Sequence, residues 1–259
     1  MLKDSLRYGG GMLPHHLVTA LAPLISKGLL NYKGSLVALG VFSLASKFLQ
    51  PLDLLYSTFV TSFGPVYFSL RNEENMEKIK SVYSAVWILA VIIFVFTVSI
   101  FPYLILLSTP ERFHQSAHLI PILAWGFLGL VLYYFFLVEN CFDKNTSRIS
   151  TVTGVALIVN LSVTLIAIDK YEVYAVASAS ALGFLSQAAA GFIMSKKHFL
   201  NYIKPSQIVS GLVISLTVFV LVLSIPVDAL FSRLMIVLIA LGLLTLANLR
   251  SLKGIYSAL

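Results

Sequence analysis

Charged side chains are scarce in this sequence: Asp, Glu, Lys and Arg make up 11% of 259 residues, where a soluble domain carries roughly 25%. Hydrophobic residues reach 58%, more apolar surface than a soluble core of this length can bury, so lipid must solvate much of it. Cysteine is nearly absent. Cys141 stands alone, which excludes an internal disulfide, and no Cys/His cluster has zinc-ligand spacing. Catalytic signatures are missing as well. Gly9-Gly10-Gly11 lacks the Gly-Lys-Ser/Thr of a phosphate loop, and no HExxH, nucleophile elbow or paired acidic motif occurs. An enzyme is therefore not expected, nor a metal or a resident cofactor.

What is present is a series of apolar windows near the roughly 20 residues that a helix needs to cross a bilayer. They fall near 8–30, 36–69, 81–107, 116–138, 148–168, 172–194, 206–225 and 228–249. The expected fold is all-α, a polytopic membrane bundle of about eight transmembrane helices. Lys3 and Arg7 ahead of an apolar stretch raise a signal peptide, but Pro14, His15 and His16 interrupt its core, so a first membrane helix is the better reading. The gaps between windows are short and hold no extramembrane domain.

The net charge of +7 sits in those gaps, which suits membrane orientation rather than nucleic acid. With both termini cytoplasmic, the inner segments carry Lys3, Arg7, Arg71, Lys78, Lys80, Lys144, Arg148, Lys196, Lys197, Lys204, Arg250 and Lys253. The outer ones carry Lys27, Lys33, Arg112, Lys170 and Arg233. That bias follows the positive-inside rule. The sequon Asn145-Thr146-Ser147 then falls on the inner side, where it is inert.

Ionisable groups inside a span are costly and mark function by default. The second window holds the densest set. At ~100° per residue, Ser43, Ser46, Lys47, Gln50, Asp53, Ser57 and Thr61 occupy about 120° of one face, with Tyr56 opposite. Pro51 lies among them and frees a carbonyl. Mutual neutralisation of Lys47 and Asp53 within the bundle is the structural reading of that stripe; a water-filled cavity is the functional one. In the first window, Lys27 snorkels or enters the cavity. One of His15 and His16 is a cavity candidate, while a joint site is not expected because neighbours diverge by ~100°. The small residues of the sixth window and Asn160 of the fifth are read as helix packing.

Several stretches in order resemble the polysaccharide-export flippases, the Wzx-like members of the multidrug/oligosaccharidyl-lipid/polysaccharide exporter superfamily. They are Leu39-Gly40-Val41-Phe42-Ser43-Leu44-Ala45-Ser46-Lys47, Ser62-Phe63-Gly64-Pro65-Val66-Tyr67, Ser108-Thr109-Pro110-Glu111-Arg112-Phe113, Leu119-Ile120-Pro121-Ile122-Leu123-Ala124-Trp125-Gly126, and Asp143-Lys144-Asn145-Thr146. The similarity is to the C-terminal lobe of such proteins over residues 1–200, with two additional helices over 201–259. Where many relatives carry Asp-Arg, this chain has Ser26-Lys27.

The resemblance implies a transporter of the cell inner (cytoplasmic) membrane. It would flip polyprenyl-diphosphate-linked oligosaccharide by rocking lobes, with Na+ or H+ as a possible coupling ion. Lys47, then Lys27, would face the diphosphate; Gln50, Ser43, Ser57 and Thr61 the sugar hydroxyls; and Asp53 a cation. The implied partners are the bilayer, the lipid-linked oligosaccharide, and a separately encoded N-terminal lobe or a second copy. Alternatives are a non-transporting scaffold or split-gene remnant, and a multidrug exporter of the same superfamily.

Overall fold

The computed structural model describes the backbone of residues 2–33 and 35–258 and side chains outside 1–7, 34, 56, 60, 196–202 and 249–259. Tyr56 and the charges at Lys3, Arg7, Lys196, Lys197, Arg250 and Lys253 lie outside the described side chains. Every element is helical: α1 (Leu2–Lys33), α2 (Leu36–Asn72), α3 (Met76–Ser108), a 3₁₀ turn (Glu111–Phe113), α4 (Gln115–Phe142), α5 (Thr146–Tyr202), α6 (Pro205–Ser224) and α7 (Leu230–Ala258). Six helices, α2 to α7, are long and apolar enough to cross a membrane. Large hydrophobic side chains stand bare around them, among them Ile158, Ile166, Val213, Leu238 and Leu246. No soluble surface of this size carries so much apolar area; this is a multi-pass membrane bundle.

One difference from the sequence-based expectation concerns α1. In α1, Pro14, Pro23, the two histidines and three consecutive glycines dilute the apolar residues, and it is not among the six membrane-crossing candidates. The fifth and sixth windows form two helices joined at a sharp kink at Glu172, one residue past the expected gap at 169–171. The membrane-length part of α5 covers 50 residues, about 75 Å if straight at ~1.5 Å per residue, against a hydrocarbon core of about 30 Å. The run breaks at Glu172, whose backbone leaves the helical region (φ 41, ψ −114). Gln187 meets Thr153 and Gly183 meets Ala156, so the arms on either side of Glu172 run antiparallel.

The α2–α3 and α4–α5 turns share one design. Glu74 and Lys144 take left-handed conformations (φ 57 and 56). The following Asn75 and Asn145 amides reach back to Leu70 O and Asn140 O at 2.9 and 2.8 Å, closing each helix with a C-terminal cap. Both turns lie at one end of the bundle, where Arg71 sits over the Phe142 ring. That end carries Lys78, Lys80, Lys144, Arg148 and Lys204 and is the basic end.

Packing follows the small residues. An added Cβ at Gly126 or Gly129 would come within 2.9 Å of the second arm of α5, and Gly191 lies on Phe136. Close backbone approach of this kind is how helices associate when lipid supplies no hydrophobic drive. α4 is the central helix, buried against α2, α3 and both arms of α5. The α6–α7 pair docks on α3, leaving α1 and α2 at the margin.

Candidate functional site: the outward polar face of α2

α2 has two unlike sides. Ala38, Val41, Phe42, Ala45, Leu49, Leu52, Phe63 and Tyr67 recur at helical spacing and are buried. Near the basic end, Phe63 and Tyr67 join Tyr83 of α3 and Phe142 of α4 in an aromatic cluster. The other side carries the polar stripe. Lys47, Gln50, Asp53, Ser57 and Thr61 are exposed, and Ser43 and Ser46 are half-buried. The stripe turns away from the chain's own bundle.

Its members differ in what they need. Ser46 donates to Phe42 O at 2.9 Å, Ser57 to Leu54 O at 3.0 Å and Thr61 to Ser57 O at 2.7 Å. Those hydroxyls satisfy themselves on the preceding turn and tolerate lipid. Lys47, Gln50 and Asp53 have no such recourse: among the described residues none makes a hydrogen bond or ion pair. Mutual neutralisation of Lys47 and Asp53 is therefore absent from this conformation. Asp53 lies near Tyr134 of α4. The apolar remainder of the exposed side, Leu54, Leu55 and Val66, is ordinary lipid-facing surface.

α1 directs its polarity the other way. Along its length it meets the first arm of α5 in parallel. Thr146 donates to Tyr8 O at 3.1 Å, Ser150 donates to Gly11 O, His15 Nδ1 lies 2.7 Å from Thr153 Oγ1, Ser26 donates to Asn160 Oδ1 at 3.2 Å, and Lys33 pairs with Asp169 at 3.0 Å. This polar seam fixes a helix that hydropathy alone would leave weakly held. His15 is buried, whereas the exposed His16 lies beside it with ring centroids 5.3 Å apart. The rings are thus adjacent, although their directions along the helix diverge. Lys27 is half-buried beside the seam and has no polar partner among the described residues. His15 thus belongs to the seam with α4 and α5 and not to the outward stripe.

Two further polar nodes carried little sequence signal. Arg233, 2% exposed, donates to five carbonyls: Val98 and Ser99 of α3, Val222 of α6, and Ile225 and Pro226 beyond it. Pro102 has no N–H to give the Val98 carbonyl, and the last carbonyls of α6 lack intrahelical donors. One guanidinium serves both deficits. Toward the basic end, Gln207 accepts from Ser84 at 2.9 Å and donates to Asn248 at 3.3 Å, while Trp87 donates to Gln207 O at 2.9 Å. Arg233 was legible only as a loop charge; the carbonyls that it caps belong to no side-chain pattern.

A polar cleft lies between Tyr8 and the Asp143–Ser147 turn, and an apolar groove runs between α6 and α7; neither includes the α2 stripe. Among the described residues, no three His, Cys, Asp or Glu side chains are grouped to hold a metal. No family model, no curated protein and no solved structure matches the chain.

Proposed function

We propose that the chain is one lobe of a membrane translocator that flips polyprenyl-diphosphate-linked oligosaccharide in the synthesis of a cell-surface polysaccharide of the O-antigen or capsule kind. The observation that carries this reading is the stripe of Lys47, Gln50 and Asp53, exposed on α2 and unpartnered among the described residues. A charged side chain facing hydrocarbon costs several kcal/mol, so the stripe faces water or another polar surface. A second lobe, from a separate polypeptide or a second copy, closes that space into a cavity. The ordered family resemblance supplies the cargo. In this reading α1 and the two arms of α5 each cross, giving eight spans with both termini in the cytoplasm and the basic end inward.

Within the cavity, Lys47 neutralises the diphosphate, an attraction strengthened by the low-dielectric walls. Gln50 and the free lone pairs of Ser57 and Thr61 meet sugar hydroxyls, and Asp53 holds a coupling cation. Headgroup flipping in the assembled transporter tests these roles. Lys47→Ala and Asp53→Ala are each expected to lower the rate at least about tenfold, the scale of one lost charge contact of roughly 1.4 kcal/mol or more. Full activity in both would remove the site.

Asp53 favours one second reading, export of an organic cation, because an uncompensated acid at mid-depth attracts positive charge. Efflux of a fluorescent organic cation that is lost in Asp53→Asn, with lipid-linked sugar left unmoved, would select it.

A further inference from the structure

The node around His15 has a property that its packing role does not require. Thr153 Oγ1 has one proton and two lone pairs, yet four groups reach it: His15 Nδ1 at 2.7 Å, Ile149 O at 2.9 Å, Gln187 Nε2 at 3.2 Å and Tyr133 OH at 3.3 Å. These belong to α1, to α4 and to both arms of α5. A neutral ring with a bare Nδ1 saturates the node. Thr153 donates to it, both lone pairs receive Gln187 and Tyr133, and Ile149 O keeps its backbone partner. A protonated ring reverses the node: Nδ1–H donates to Thr153 Oγ1, the Thr153 proton turns to Ile149 O, Gln187 keeps the remaining lone pair, and Tyr133 OH, also 3.3 Å from Nδ1, must turn from donor to acceptor.

The surroundings add charge to that count. Among the described residues, the titratable groups facing the ring are Tyr133 on α4 and His16 on α1. The two arms of α5 present only the uncharged Thr153 and Gln187. The ion pair of the seam among the described residues, Lys33–Asp169, lies at the far end of α1. An imidazolium in the node would therefore be buried without an anion, an arrangement that proteins avoid. His16 is exposed, with its ring against that of His15.

We propose that His15 is a proton-operated latch: the neutral ring holds α1 against α4 and α5, and protonation releases it. A water-exposed histidine takes a proton near a pH of about 6.5, so release is favoured as pH falls through that range and reversed as it rises. This does not depend on what the α2 stripe carries. Spin labels at Leu21→Cys and Ile158→Cys, both exposed, in a Cys141→Ser background report the α1–α5 distance by pulsed dipolar spectroscopy in liposomes. One narrow distance is expected at pH 8, and a second, longer population at pH 5. His15→Gln, or His15→Asn should the first not fold, is expected to hold the pH 8 distribution at pH 5, whereas His16→Gln keeps both populations. A distance unchanged between pH 8 and pH 5 would overturn the latch, as would a second population that persists without His15.

Discussion

The first two helices carry comparable polarity and use it in opposite ways. α1 turns His15 and Ser26 inward, and at its ends Tyr8 O and Lys33 also meet α5, so these four groups have partners. α2 turns Lys47, Gln50 and Asp53 outward, where they make no hydrogen bond or ion pair with the described residues. Polar residues in a membrane helix thus mean two different things, and hydropathy does not separate them. Burial and partner identity do. The α1 seam holds a poorly apolar helix in the bundle; the α2 stripe needs something beyond the bundle.

That contrast makes paired groups matter for stability and unpaired ones for activity. The largest stability loss is expected at Arg233. Arg233→Met strands carbonyls of α3 and α6 together and should destabilise by about 3 kcal/mol, the scale of charge-assisted hydrogen bonds lost from a buried site. Reversible denaturation in micelles reads this; a loss under about 1 kcal/mol would show that the carbonyls find other donors. Next comes Thr153→Val, which deprives His15, Gln187 and Tyr133 of their common partner and should cost about 1–2 kcal/mol by the same measurement. Asn160→Leu removes one interhelical contact to Ser26 and should cost about 0.6 kcal/mol, the mean for such bonds in membranes. Smallest is the pair Lys47→Met with Asp53→Leu. Their stability effect should lie within about 0.5 kcal/mol, as for exposed sites generally, while transport is lost. A large destabilisation there would erase the contrast between the two helices.

Much of the fold was legible because a membrane helix announces itself over some 20 residues. α3, α4, α6 and α7 follow their apolar windows closely. The polar Asp169-Lys170-Tyr171 marks the reversal between the two arms of α5 to within a residue, since the kink falls at Glu172. The helices outrun their windows at the basic end, where α2 extends to Asn72 and α3 starts at Met76, because helical hydrogen bonding continues past the lipid. The α2 stripe could be drawn from the helical repeat alone. Which way it faces could not, because that depends on the placement of α3 and α4 against Phe42, Leu49 and Tyr67. His15 illustrates the same limit: periodicity put it on a face, but its partners Tyr133 and Thr153 lie 118 and 138 residues away along the chain. Arg233 is the extreme case, since its acceptors are all backbone.

Water on the α2 stripe is the claim from which the transport reading follows. In a Cys141→Ser background, single cysteines at Gln50, Asp53 and Ser57 can be compared with cysteines at Leu55 and Val66, which are equally bare but apolar. A membrane-impermeant maleimide applied to intact membranes is predicted to label the stripe at least about tenfold faster, since thiolate forms readily in water and hardly in hydrocarbon. Equal rates on the two sets would mean that the stripe meets lipid or a dry helix, and the translocation account would be wrong.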